Sequence, residues 1–154
     1  GTSPEEFLQL AKPYFRQAFP DTEAPYPKLV EILQPRVTRL TQIPEMIGFF
    51  QKLPGYEKEL FINKKSKTNL ENSKEVLEDT IALLEALPNW NHDGIHDCLI
   101  QYAQEKGLKN GTVMWPVRIA AAGQLVTPGG AIEILEILGR EESLRRLRLG
   151  LAKL

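Results

Sequence analysis

The chain is poor in cysteine: Cys98 is the single one in 154 residues. No disulfide framework can form within it, and a reducing, cytoplasmic compartment is expected. Charge of one sign is missing too. The 19 Lys and Arg against 20 Asp and Glu leave a net charge of −1. No global basic field advertises nucleic-acid binding, so any such binding must come from a local patch. No apolar run is long enough for a membrane span. The polar start, "GTSPEEF", shows no signal peptide. An initiator Met is lacking, which predicts a piece of a longer protein, with Gly1 and Thr2 as a cloning remnant. P-loop, GxGxxG, GxSxG and HExxH patterns are all absent, so the chain on its own does not read as an enzyme and offers no catalytic residue.

What is present reads as helix. Hydrophobic residues at 42% and charged ones at 25% are the composition of a globular chain able to bury a core. Ser3, Pro4 and Glu6 form a capping-box pattern ahead of "EEFLQLAK", and Pro13 predicts a break or kink, with "PYFRQAF" as a short second turn. Leu29, Ile32 and Leu33 repeat at helical spacing until Pro35. "TQIPEMIGFF" reads as a short helix capped at Thr41 or Gln42. Residues 51–67 are the least periodic, with Pro54-Gly55 and the Lys64, Lys65, Lys67 run, and a subdomain boundary is expected there. An apolar stripe of Leu70, Val76, Leu77, Ile81, Leu84 and Leu87 predicts a long amphipathic helix ended by Pro88. The next helix is capped by Asn91 and closed by Gly107. A turn at Asn110-Gly111 leads to a short helix stopped by Gly123. Thr127 and Pro128 start another that stops at Gly139, and a basic helix closes the chain. No segment alternates with period two. The fold class is all-α, with short loops between antiparallel neighbours.

Three features carry possible chemistry. His92 and His96 share one helical face at a spacing that can bind zinc, yet no third and fourth ligand is obvious, and surface histidines are the expectation. Cys98 lies inside an amphipathic helix and reads as a buried small hydrophobe. Arg145, Arg146 and Arg148, with Arg140 and Lys153, make the last helix basic: either a solvated face near a helix C-terminus or phosphate contacts, chiefly from Arg145 and Arg146.

The stretch "VMWPVRIAAAGQLVTPGG", residues 113–130, holds one charge. Arg118 follows Pro116 at what reads as a helix start. Alanines occupy 120, 121 and 122, and a Thr127-Pro128-Gly129-Gly130 turn follows. Arginine offers a planar fork of donors and stacks on π faces. Small residues let bases approach the backbone, and the N–H groups of a helix start can bind base edges or phosphate. The same residues also suit close helix–helix packing with Arg118 on the rim. Trp115 is either a core residue or a platform for a base.

Residues 109–147 resemble the C-terminal end of bacterial-type glutamyl-tRNA synthetases. The match runs through Pro116, Arg118, Ala120, Gly123, Thr127, Pro128, Gly129, Leu138, Gly139, Arg140, Glu141, Arg146 and Leu147. "ILQPRVTRLTQIPEMIGFF" resembles the family's first anticodon-binding subdomain, while residues 54–108 match in pattern. The family's His-x-Gly-His signature and lysine-rich ATP loop are absent. The resemblance implies a multihelical anticodon-binding cage of two small helical subdomains, residues 1–66 and 67–154. Its partner would be the anticodon loop of tRNA-Glu, with no membrane and no metal, and the chain would be a monomer. ATP and Mg would belong to a catalytic domain absent from this chain. By resemblance, Arg36 lies by the third anticodon base and helps tell C from G. Arg118 and the turn Thr127, Pro128, Gly129, Gly130 lie by the other bases, beside Pro116. Gly130 and Ala131 stand where the family has Leu and Phe, so backbone contacts alone would remain there. The alternative is a helical protein–protein interaction module without RNA binding, its basic C-terminal face meeting an acidic partner.

Overall fold

The computed structural model describes residues 1–20 and 25–154. Among them are eight α-helices: α1 Pro4–Ala18, α2 Tyr26–Leu33, α3 Ile43–Gln51, α4 Leu70–Glu85, α5 His92–Lys106, α6 Asn110–Ala122, α7 Ala131–Leu138 and α8 Arg140–Lys153. The one β pairing among the described residues is an isolated bridge between Asn63 and Thr68. The all-α reading therefore holds. None of these helices is long and apolar enough to cross a membrane.

Local chemistry sets most boundaries. Ser3 Oγ accepts from the Glu6 N–H and starts α1. Asn69 and Asn72 exchange side-chain and backbone bonds, a reciprocal box that starts α4. Asn91 accepts from the Gly94 N–H at the start of α5, and Gly107 ends that helix in the left-handed region. A short 3-10 turn, Leu40–Gln42, precedes α3. The Gln42 carboxamide accepts from the Thr38 and Arg39 N–H groups and supplies its cap.

Three boundaries differ from the sequence reading. Helix α1 runs unbroken through Pro13. Pro13 and Gln9, whose carbonyl it cannot serve, are both exposed residues of the helix. Buried Phe7, Ala11, Phe15 and Ala18 grip the helix on both sides of it. Helix α6 begins at Asn110 rather than after a turn, and takes Pro116 into its interior. Helix α7 begins at Ala131, four residues after Thr127. There the Glu133 carboxylate accepts from the Gly130 N–H at 3.1 Å.

Helix α6 is the axis of the second half, packed on α4, α5, α7 and α8. Ala120, Ala121 and Ala122 are all fully buried. They serve helix packing, not the approach of bases. A Cβ at Gly150 of α8 would come within 2.8 Å of the Ala120 Cβ, so small residues on both helices set a close crossing. In the first half α1 packs on α2 and α3. A 3-10 turn, Lys58–Phe61, inserts fully buried Phe61 against α4 and α6.

Arg146 of α8 joins the halves. It has no exposed surface. Its guanidinium donates to the carbonyls of Phe49 and Phe50 at the end of α3 and of Ala121 at the end of α6, at 2.7, 3.2 and 2.8 Å. Nε donates to Glu142 at 2.7 Å. These carbonyls belong to last turns, which lack helical partners of their own. The expectation of a phosphate contact at Arg146 is thus corrected: every donor direction in use points inward.

Glu142 also accepts two bonds from Arg145, at 2.8 and 2.7 Å. The Arg145 fork, and then Arg146, hold its carboxyl down at about 2 against an ordinary 4.5. A depressed folded pKa contributes stability that is present above 4.5 and lost as pH falls toward 2. Because Glu142 is 34% exposed, water screens part of the effect. The expected loss is about 1–2 kcal/mol. Urea titrations at near-neutral and acidic pH would show it as a falling midpoint, and Glu142→Gln should flatten that fall.

Candidate nucleic-acid interface

Pro35 stops α2, and the next residue begins the site. The Arg36 N–H donates to the Leu33 carbonyl at 2.9 Å. Its guanidinium turns back to the Ile32 carbonyl at 2.7 Å and caps α2, yet the residue stays exposed. One terminal nitrogen is thereby anchored, and the remaining donors of the fork are available.

Ninety residues later, the turn 124–130 comes up beside it. Gly129 has φ +78°, and a Cβ there would lie 3.0 Å from Ile32 Cγ2. Only glycine lets the turn settle on α2 at this spot. The residue it touches is the one whose carbonyl anchors Arg36. Thr127 Oγ1 donates to the Gly129 carbonyl at 2.9 Å and closes the turn, and Gln124 donates to the Val126 carbonyl at 3.1 Å. The result is a cleft of about 570 Å³. Arg36, Gln42, Glu45 and Met46 form one wall, and Gln124, Val126, Thr127 and Pro128 the other.

Arg118 reaches the same turn from below. Its Nη1 donates to Thr127 Oγ1 at 3.1 Å, and its guanidinium lies 4.8 Å from the Trp115 ring centre. It sits in the C-terminal half of α6, not at a helix start, so α6 offers it no unbonded N–H groups of a first turn. Burial pulls its pKa below the ordinary arginine value, though a guanidinium stays charged. A half-buried cation whose bond is to a hydroxyl can still take an anion or a carbonyl-rich edge. Trp115 is partly buried. Its indole N–H donates to the Leu60 carbonyl at 2.9 Å, and one ring face is turned to Arg118. Trp115 and Arg118 line a second pocket of about 360 Å³ with Ser66, Met114 and Gly130.

The structure therefore brings Arg36, Thr127, Pro128 and Gly129 together and ties Arg118 to them through Thr127. Pro116 and Pro128 are buried and act as scaffold. For Pro116 this replaces the expected open surface. The Gly130 N–H is taken by Glu133, and Ala131 is buried. The apolar side chains at the turn are Leu125 and Val126, 57% and 79% exposed. Sequence reasoning passed over them, and over Gln42, Glu45 and Met46. A Leu-Val pair between Gly123 and Pro128, with no helix to bury it, was the available signal.

The donors of the basic last helix are largely occupied within the chain. Arg145 forks onto Glu142, Arg146 is buried, and Arg148 pairs with Glu85. Arg140 donates to the carbonyls of Leu84, Glu85 and Leu87 at the end of α4. Lys153 donates to the Tyr56 carbonyl. The interaction-module reading rested on this face and loses its support. His92 and His96 stack at 6.1 Å beside their own neighbours Asp93 and Asp97. Among the described residues no three His, Cys, Asp or Glu side chains group as metal ligands. Cys98 is partly buried, and burial pushes its thiol pKa up.

Glutamate–tRNA ligases of Clostridium tetani and Clostridium novyi are 45% and 43% identical to the chain, each over 97% of it. The chain spans about 30% of the length of these curated relatives. A crystal structure of a glutamate tRNA ligase from Elizabethkingia meningosepticum superposes with a TM-score of 0.78 at 23% identity. That match covers 99% of this chain and 30% of the other, and it supports the fold. The stretch that carries the cleft and the Arg118–Thr127 link falls within residues 6–151, which match the family model described as an anticodon binding domain. On that match, and on its helical fold, the chain belongs to the anticodon binding domain family, and it aligns with about 30% of the length of glutamate–tRNA ligases.

Proposed function

We propose that this chain reads the anticodon loop of tRNA-Glu for a ligase that attaches glutamate to that tRNA in the cytoplasm. ATP and magnesium would act in a catalytic domain outside this sequence. The chain would work as a monomer, with residues 1–66 and 67–154 as two helical subdomains that each supply one wall of the reader. The observation that carries the reading is the cleft between Arg36 and the Gln124–Pro128 turn, with Arg118 bonded to that turn. Unstacked bases of a loop are read on their exposed edges, by side-chain donors and by stacking.

Arg36 would discriminate the third anticodon base by donor and acceptor matching. The Watson–Crick edge of cytosine presents two adjacent acceptors, O2 and N3. Guanine presents two donors and one acceptor on the same edge. A guanidinium has donors only, so it pairs with cytosine and meets guanine donor to donor. Good matches of this kind are worth about 1–3 kcal/mol of discrimination. Thr127 and the polar rim of Arg118 would hold the neighbouring bases.

The test is binding of the chain at low salt to a tRNA-Glu anticodon stem-loop and to the same loop with C changed to G at the third anticodon base. The wild type should prefer the C form by about tenfold or more. Arg36→Ala should bring both loops to similar affinity. A variant that keeps the full C preference would remove Arg36 from the reading role.

A further inference from the structure

A chain of net charge −1 that binds RNA needs a local source of phosphate affinity, because backbone neutralisation supplies most of the salt-dependent term. The last helix is not that source, since its arginines are paired, buried or bonded to carbonyls. Another set of cations stands free. Lys64, Lys65, Lys67 and Lys109 are all exposed. Among the described residues none of them has an ion-pair partner.

The first three sit on a turn that is unusually well held. The Asn63 and Thr68 backbones bridge, and Asn63 Oδ1 accepts from the Ser66 N–H at 2.8 Å. Thr68 Oγ1 donates to the Phe61 carbonyl at 2.7 Å, which roots the turn in the core beside buried Phe61. Asn72 donates to the Lys67 carbonyl at 2.9 Å, and Lys67 itself has φ 57°. Lastly, Thr112 Oγ1 donates to the Ser66 carbonyl at 2.6 Å and clamps the turn onto the first turn of α6. Gly111 lies beside the same turn: a Cβ there would make ordinary contact with Ser66 Oγ at 3.6 Å. Lys109, the residue before α6, thus borders the same turn. Ser66 also lines the pocket that Trp115 and Arg118 share. The lysines flank that pocket on a rigid ledge, and a backbone that is already ordered has less entropy to lose when it binds.

We propose that the Asn63–Thr68 turn, with Lys109, is a phosphate-binding ridge for the RNA backbone beside the nucleotide that meets Trp115 and Arg118. It rests on the anticodon-reading function above, but it is a separate, sequence-independent contact. The ridge holds the strand by charge, and the Arg36 cleft reads the base.

The experiment is the salt dependence of stem-loop binding by the full chain, comparing wild type, a Lys64→Ala/Lys65→Ala/Lys67→Ala variant and Arg145→Ala. Each phosphate contact to single-stranded RNA contributes about 0.7 to the slope of log affinity on log salt. Loss of three lysines should lower the slope by about 2 and weaken binding about tenfold at low salt. The C-over-G preference and the circular-dichroism spectrum should not change. Arg145→Ala should leave the slope as it is, because Glu142 already engages both nitrogens of that fork and holds it away from a phosphate. If wild type prefers C and the triple variant keeps the wild-type slope, the ridge is wrong while the reading function stands. A triple variant that loses the C preference would also overturn the ridge, because its effect would come from a distorted cleft. Failure of wild type to bind either loop at low salt would overturn both.

Discussion

Arg146→Met is expected to destabilise the chain by about 3–5 kcal/mol, as removal of one partner from a buried charged network does. The stability of a whole domain is about 5–15 kcal/mol, so the loss should be plain in urea. The midpoint should drop sharply with little change in slope. Methionine fills similar space, so the cost is not mainly a cavity. It comes from the carbonyls of Phe49, Phe50 and Ala121 left buried without donors, and from Glu142 left short of one partner. Arg146→Lys should recover only part. One ammonium on a flexible stem cannot serve the ends of two helices and a carboxylate together. The RNA-binding consequence follows from position. Arg146 ties the end of α3, whose first turn carries Glu45 and Met46, to the end of α6, the helix that carries Arg118 one turn earlier. Loosening it should weaken stem-loop binding in variants that are still folded. A Met variant within about 1 kcal/mol of wild type would mean that these carbonyls find water instead.

Gly129→Val should be the other severe change. Its φ of +78° costs an L-residue about 1–2 kcal/mol, and a β-branched side chain is among the worst there. The new Cβ would also start 3.0 Å from Ile32 Cγ2. Together these predict a loss of about 2–4 kcal/mol if the turn holds its place. The cheaper escape is for the turn to lift off α2. That would carry Thr127 away from Arg118 and open the cleft wall that faces Arg36. RNA binding should therefore fall further than stability does. Gly130→Ala next door is the contrast. Its φ is −102° and its nearest neighbour, a Glu133 carboxylate oxygen, is 3.7 Å from the added Cβ. It should be nearly neutral in thermal denaturation. Equal damage from the two substitutions would refute the argument from Ile32.

The helices were legible because their signals are local. Ser3, Asn69 and Asn91 cap with their own side chains, and Gly107 and Gly123 stop helices through positive φ. Period and caps need only neighbours within four residues. The three boundary errors share one cause. Pro13, Pro116 and Thr127-Pro128 were read by local rules that packing overrode. Helix α6 keeps an interior proline because four helices surround it, and α7 starts late because Thr127 is occupied in a turn.

The candidate site was legible in part. Arg36, Arg118 and the Thr127–Gly129 turn could be named from residue types and resemblance. Their meeting place could not, because Arg36 and Thr127 are 91 positions apart and joined through Ile32 and Gly129. The two readings of the basic last helix could not be separated in sequence for the same reason. A run of arginines near the C-terminus looks like a basic surface on paper. Only tertiary structure decides that Arg146 turns inward to three carbonyls, that Arg140 caps α4, and that Arg145 and Arg148 find carboxylates. By itself, then, the sequence determined most of the helices, their caps and the two arginines, Arg36 and Arg118, that we propose as base readers, since propensity and side-chain chemistry are properties of the local chain. Which cations stay free to meet RNA was decided by the fold, because an ion's availability depends on what distant segments place beside it.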